Sequence, residues 1–280
     1  MERIKQALEK AKSQKSAKAP TAPREPTSVG RAEVFVSADA KFASGLESLN
    51  YSKTRVVALD ALHLERNRIV AFNKNDPTTI AFDMLRTQVL HRMEEKGWRT
   101  LAITSPTPGA GKTVVAINLA ISIAHQPQKS ALLVDFDLRK PKVAAYLGIR
   151  EEKSLNDVLN GQAELPEAMI NPGLPRLVVL PAMKPVPRST EILSTTKVAD
   201  LVRELRERYD SRVVLFDLPP LLATDDAITL IRQVDCVLVV VGNGMSSQME
   251  IEQSLRHLPS VNVLGYVLNK SEIPQCNYYY

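Results

Sequence analysis

The stretch that most constrains the fold runs from residue 100 to residue 124. An apolar run, Thr100-Leu-Ala-Ile-Thr104, leads into Ser105-Pro-Thr-Pro-Gly-Ala-Gly-Lys-Thr113, and an apolar, helix-like run follows to Ala124. Strand, glycine-bearing loop and helix in that order form the frame of a phosphate-binding loop. Gly109 and Gly111 let the backbone turn tightly and approach an anion. The helix behind them aims its first N–H groups at the same place. Lys112 then offers a mobile positive charge to β- and γ-phosphates, and Thr113 a hydroxyl to Mg²⁺. Pro106 stands where the general pattern G-x-x-x-x-G-K-[ST] has its first glycine. The competing reading is a Gly/Pro turn before an amphipathic helix; the rest of the chain argues against it. Lys112 is expected at the end of a surface loop, outside the core.

Downstream, strand and helix patterns alternate. Strands are expected at 130–136, 177–180, 212–216, 236–241 and 261–268. Helices are expected at 142–147, 154–159, 190–209, 225–232 and 246–257. Upstream, Asn75-Asp76-Pro77 starts a helix with Ile80, Met84, Leu85, Val89 and Met93 as its apolar face, and Gly97 stops it. The strands are nearly continuous Val/Leu/Ile runs, as expected when both faces of a sheet are covered. The fold class is therefore α/β, a doubly wound, mostly parallel sheet flanked by helices with right-handed crossovers. Ligands of such a sheet bind at the C-terminal strand ends.

Three carboxylates fall at those ends. Residues 132–137 read Leu-Leu-Val-Asp-Phe-Asp and residues 213–217 read Val-Val-Leu-Phe-Asp. Mg²⁺ takes oxygen ligands in an octahedron and keeps several waters; Asp135, Asp137, Asp217 and Thr113 are the candidate ligands. The plainer role for such an Asp is to cap the next helix. That suits Asp217 poorly, because Leu-Pro-Pro follows it and proline has no N–H to offer. Of Asp135 and Asp137, one is expected to act chemically and the other to orient it. Asp225 and Asp226 read as the cap and first-turn charge of the next helix. The four histidines show no metal-ligand spacing, and two cysteines make no disulfide framework.

The charge is uneven. Residues 1–32 hold eight Lys/Arg against three Glu, a surplus equal to the +5 of the entire chain. The remainder is neutral by count, so no nucleic-acid partner is implied. The arm suits an anionic membrane or an acidic partner, or is a solvated tail. Three regions are expected: a basic, largely disordered arm and linker at 1–65, the folded domain at 66–272, and a tail at 273–280. No stretch reads as a membrane span or a secretory signal, and a cytoplasmic chain is expected.

With those residues in place, the chain resembles the bacterial tyrosine kinases of capsule and exopolysaccharide synthesis. The phosphate loop is similar to theirs, in which Pro commonly replaces the first Gly. Asp135-Phe-Asp-Leu-Arg-Lys-Pro141 resembles their second Walker-type motif, and Leu215-Phe-Asp-Leu-Pro-Pro220 their Walker B motif. Pro187-Arg-Ser-Thr-Glu-Ile-Leu-Ser194 resembles their Pro-x-x-Ser-Glu-Leu-Leu region, Val267-Leu-Asn-Lys270 the strand end near adenine, and Tyr278-Tyr-Tyr280 their C-terminal tyrosine cluster. The match covers roughly residues 76–280. It departs at Ala110, where the family often has Glu. It departs again where the oligomerisation motif Glu-x-x-Arg-x-x-Arg aligns with Ile80, Asp83 and Arg86.

The resemblance implies ATP-dependent autophosphorylation on Tyr278, Tyr279 and Tyr280, with ATP and Mg²⁺ as cofactors. It implies Lys112, Asp137 and Asp217 as catalytic residues. Pro108, Gly109, Ala110, Gly111, Lys112, Thr113 and Asn269 would bind the nucleotide. It further implies a transmembrane activator of the chain-length-determinant type, a tyrosine phosphatase, weak self-association, and a place at the inner face of the cell membrane. The rival reading is a partition- or septum-positioning-type ATPase. Such ATPases usually carry a second lysine early in the loop, near Pro106-Thr107, and none stands there.

Overall fold

The computed structural model describes residues 54–271 other than Glu151 and Pro259; the basic arm and the three terminal tyrosines lie outside the described residues. The strands are β1 (Arg55–Val56), β2 (Thr100–Thr104), β3 (Ser130–Asp135), β4 (Ile170–Asn171), β5 (Leu177–Leu180), β6 (Arg212–Asp217), β7 (Cys236–Gly242) and β8 (Val263–Asn269). They form one eight-stranded sheet in the order β1-β4-β5-β3-β6-β2-β7-β8. Neighbours run parallel except β4 and β5. The helices are α1 (Ala61–Arg66), α2 (Thr79–Lys96), α3 (Lys112–Ala124), α4 (Val143–Leu147), α5 (Leu155–Asn160), α6 (Leu165–Ala168), α7 (Ser189–Leu193), α8 (Thr196–Glu207), α9 (Asp226–Ile231) and α10 (Gln248–Leu255). None is long and apolar enough to cross a membrane among the described residues.

Pleating sends alternate strand residues to two cores. Leu101, Ile103, Leu133 and Leu215 join the core under α2 and α3. Ala102, Leu132, Val134, Val214 and Phe216 join the one under α8 and α9. Covering both faces is what permits apolar residues at every strand position. Helix α3 is apolar nearly all round, and every residue except Lys112 and Val114 is buried. A helix of that kind belongs inside a domain, so the segment carrying the phosphate loop is fixed by packing along its length.

The folded domain begins earlier than residue 66. Asp60 caps α1 by accepting from the Leu62 and His63 amides at 2.9 and 3.4 Å. Leu64 is buried in the core, and β1 pairs with β4. Residues 68–71 are then tied to α3 by Asn118. Its Oδ1 accepts from Val70 N and Ala71 N at 2.8 and 2.9 Å, and its Nδ2 donates to Arg68 O and Val114 O at 3.0 and 2.8 Å. An unpaired buried amide costs about 1–3 kcal/mol, which explains an Asn on an otherwise apolar helix.

Two further expectations change. The helix expected over 190–209 is two helices, because Thr195 is extended (ψ 152°). The Ser194 and Thr195 hydroxyls donate back to Thr190 O and Ile192 O at 2.8 and 2.7 Å, and such bonds compete with continued helix. The apolar face of α2 is also only half used. Val89 and Met93 are buried, whereas Ile80 and Met84 are more than half exposed. Between them, Asp83 accepts from Arg86 Nη1 at 2.7 Å and from Ser122 Oγ at 2.6 Å. The one retained arginine of the oligomerisation motif is thus engaged within its own chain.

Candidate nucleotide site

Strands β2, β6 and β3 lie side by side, with Ile103 opposite Asp217 and Asp217 opposite Asp135. Their C-terminal ends therefore deliver the glycine loop and the carboxylates to one place. The loop turns through Gly109 and Gly111 at φ +86° and +90°, and Gly111 is the N-cap of α3. It is braced from the β7–β8 edge of the sheet. Asn269, at the end of β8, donates Nδ2 to Ala110 O at 2.8 Å, and the Thr107 and Ser246 hydroxyls lie 2.8 Å apart. Asn269 is expected near the adenine, and in the structure its amide holds the loop.

Lys112 is not a surface residue. Its side chain is 12% exposed. Nζ lies 2.8 Å from Asp137 Oδ2, 3.6 Å from Asp217 Oδ1 and 3.3 Å from Thr113 Oγ1. Thr113 Oγ1 donates to Asp217 Oδ2 at 2.6 Å. Burial alone would lower the Lys112 pKa, but Asp217 and Asp137 outweigh it and hold the ammonium above its ordinary value. Asp217, wholly buried, is pushed up by desolvation in spite of Lys112 and Thr113. Asp135 is pushed well up by burial and then by Asp217.

Asp135 differs from the other three. Its Oδ1 accepts from Asp137 N at 3.2 Å, and its Oδ2 from Lys142 N and Val143 N, both at 3.0 Å. It anchors the Asp137 backbone and the start of α4. Of the four residues read as metal ligands, the structure gathers Thr113, Asp137 and Asp217 around Lys112 and turns Asp135 into backbone amides. The Asp217 Oδ1 atom is buried without a hydrogen-bond partner. No group of three or more His, Cys, Asp or Glu among the described residues is arranged to hold a metal. A hydroxyl and two carboxylates, one of them with an orphaned oxygen, fit Mg²⁺ when phosphate oxygens complete the octahedron.

A cavity of about 380 Å³ opens over the loop, within the range of small-ligand sites. Its lining includes Gly109, Gly111 and Thr113 of the loop, the carboxylate of Asp137, and the cations Lys112, Arg139, Lys140 and Lys142. Four cations against one carboxylate suit a polyphosphate. Arg139 was legible as part of its motif, but nothing local assigned it a role. Asp226 is the first-turn acid of α9, as expected, but it is also wholly buried and accepts from Arg139 Nε at 3.1 Å.

The raised carboxylates set a pH dependence. A carboxyl whose folded pKa exceeds its unfolded value of 3.8 favours the fold below 3.8 and loses that contribution as pH rises through the folded value. Asp217→Asn removes this penalty and relieves Asp135 of a neighbouring charge. Its stability relative to the parental chain should therefore rise from pH 4 upward. Urea unfolding at several pH values reads this directly, and a constant difference would contradict it.

Fold and site together define a nucleotide-binding domain built on a phosphate loop. The chain belongs to the AAA domain family, whose model matches residues 98–266. Several of the proteins it is similar to are bacterial tyrosine kinases. It is 32% identical over 197 residues to the putative tyrosine-protein kinase EpsB of Ralstonia solanacearum, a match covering 70% of this chain and 26% of EpsB. The chain thus spans about a quarter of the length of the curated relatives it matches. The kinase domain of Escherichia coli tyrosine kinase ETK superposes with a TM-score of 0.68 at 28% identity, over 81% of this chain and 91% of that one. The septum site-determining protein MinD of Pyrococcus horikoshii, complexed with Mg-ADP, shares the fold at a TM-score of 0.52 and 24% identity, over 62% of this chain and 72% of that one.

Proposed function

We propose that this chain is the catalytic domain of an ATP-dependent protein-tyrosine kinase acting on its own terminal Tyr278, Tyr279 and Tyr280. The observation that carries the reading is the convergence of Lys112, Thr113, Asp137 and Asp217 beside a cation-lined cavity. The names of the relatives supply the acceptor class. Thr113, Asp137 and Asp217 would hold Mg²⁺, which neutralises phosphate charge when bound. Lys112 binds the phosphates, aided by the amides of residues 109–113. The tyrosine oxygen forms the new P–O bond as the bond to ADP breaks, and the phenolic proton passes to a carboxylate. Asp137 is the better acceptor, because it lines the cavity while Asp217 lies behind Thr113 and Lys112.

The same reading places the chain in exopolysaccharide synthesis, where it regulates chain length or export. It docks on a transmembrane activator of the chain-length-determinant type at the inner face of the cell membrane, and a tyrosine phosphatase reverses the reaction. Self-association is weak, since Arg86 is engaged internally. The test incubates the full chain with ATP labelled at the γ-phosphate. Phosphotyrosine is expected, and it should vanish when Tyr278, Tyr279 and Tyr280 are replaced by Phe. ATP hydrolysis with no phosphotyrosine would reject the reading in favour of a partition- or septum-type ATPase.

A further inference from the structure

Arg139 belongs to a cluster that the phosphate loop does not explain. Its Nε donates to Asp226 Oδ2 and to Ser189 Oγ, each at 3.1 Å. Its Nη2 donates to Thr190 Oγ1 at 3.3 Å. The Ser189 hydroxyl donates to Asp226 Oδ2 at 2.5 Å, the Thr190 hydroxyl donates to Asp226 Oδ1, and Asp226 N donates to Thr224 Oγ1 at 3.2 Å. Three segments meet here: the loop after β3, the start of α7 and the start of α9. Arg139 Nη1 makes no hydrogen bond among the described residues, and the Arg139 side chain lines the cavity that holds Lys112 and Thr113.

We infer that Asp226 is a positioning residue: with Ser189 and Thr190 it clasps one edge of the Arg139 guanidinium and presents the free edge to the terminal phosphate of a bound nucleoside triphosphate. The argument is geometric. A guanidinium is a planar fork whose donors are fixed relative to one another. Fixing Nε and Nη2 therefore fixes Nη1. A buried carboxylate needs a charged or hydrogen-bonding partner, and Asp226 has both. Burial would raise its pKa, but hydrogen bonds from Ser189, Thr190 and Arg139 outweigh that and hold it below the usual carboxylate range. The carboxylate thus stays ionised and the guanidinium stays oriented. An unclasped arginine would sample many rotamers and lose that entropy on binding phosphate.

The inference rests on the nucleotide reading but not on the identity of the phosphate acceptor, so its test separates the two. Affinities for Mg-AMP-PNP and Mg-ADP are measured for the full chain, for Arg139→Ala, for Asp226→Asn and for the double variant. A clasped Arg139 makes the parental chain prefer the triphosphate. Each single variant should lower that preference about tenfold, the size of one charge-assisted hydrogen bond. The double variant should go no lower than either single one, as expected when two residues act through one contact. Losses that multiply in the double variant, or an unchanged preference in either single one, would overturn the inference.

Guanidinium ion gives a second readout that a merely structural role would not move. It should restore nucleotide turnover to Arg139→Ala while Asp226 is present and fail once Asp226→Asn is added; equal rescue in both would overturn the inference. Should Asp226→Asn not fold, Ser189→Ala with Thr190→Val removes the neutral half of the clasp, and an unchanged triphosphate preference there would be equally damaging. Turnover is followed as ADP formed. A parental chain that forms ADP without phosphotyrosine would therefore reject the kinase reading and leave this test intact.

Discussion

Replacing Lys112 by Met should lower tyrosine phosphorylation at least about 10²–10³-fold, the loss usual when one preorganised electrostatic group is removed from a transition state. The same substitution should also destabilise the protein. The sequence places Lys112 at a loop end, where it would be expendable to the fold. In the structure its ammonium lies 2.8 Å from one carboxylate and 3.6 Å from a second that is wholly buried. Without it, Asp137 and Asp217 lose the ammonium between them, and Asp135 loses a nearby positive charge. Removing one member of a buried pair costs up to about 3–5 kcal/mol, and protonation of a carboxyl relieves part of this. Burial and neighbouring charge already raise Asp217 and Asp135, and loss of Lys112 raises both further. The cost is therefore smallest in acid and grows toward neutral pH. Lys112→Arg keeps the charge and should recover most of the stability while recovering little activity, since a planar fork does not replace a compact ammonium. Urea unfolding at pH 5 and pH 8, beside phosphotyrosine labelling, reads both effects. Labelling within a few-fold of parental would remove Lys112 from the mechanism. Unchanged stability at pH 8 would mean that the carboxylates are held by something else.

What the sequence exposes is what lies close together along it. The strand–loop–helix around Gly111 is local, and so are Asp135 and Asp137 at the end of β3 and Asp217 at the end of β6. Apolar strands between polar segments give the sheet its class, because burial on both faces writes itself as unbroken Val/Leu/Ile runs. What stays hidden depends on distance or on competition. Arg139 meets Ser189 and Asp226 across 50 and 87 residues, and from Asp226 alone a first-turn acid and a buried clasp look the same. Asn118 ties down residues 68–71 across nearly fifty positions, which is why the start of the domain is set too late. The break before α8 turns on two hydroxyls that prefer backbone carbonyls to solvent. Asn269 stands at its expected strand end, yet its amide is directed to Ala110 O. The burial of Lys112 follows from three strands converging, and a charge in a loop carries no local mark of that.

Gly111→Ala should abolish useful nucleotide binding, lowering affinity by well over tenfold, and should also destabilise the nucleotide-free protein. Two separate penalties act at this position. The backbone sits at φ +90°, where a Cβ is strained whatever the space, and that Cβ would stand 2.3 Å from Asn269 Nδ2. A strained backbone of this kind costs about 1–3 kcal/mol. The steric conflict can be relieved only by moving Asn269 off Ala110 O, which frees the loop from β8, or by moving the loop itself. Either response disturbs the row of N–H groups that receives phosphate. Gly97 supplies the control. It too has positive φ, +66°, but a Cβ there would meet nothing within 4 Å. Gly97→Ala should thus cost about 1–2 kcal/mol from backbone conformation alone and leave nucleotide affinity at the parental value. Combining Gly111→Ala with Asn269→Ala removes the collision but neither the positive φ nor the lost brace, so stability should recover in part and affinity should not. Calorimetric titration with Mg-ADP, paired with urea unfolding, resolves the four proteins. Parental affinity in Gly111→Ala would show that the loop does not hold phosphate through the backbone conformation seen at this glycine.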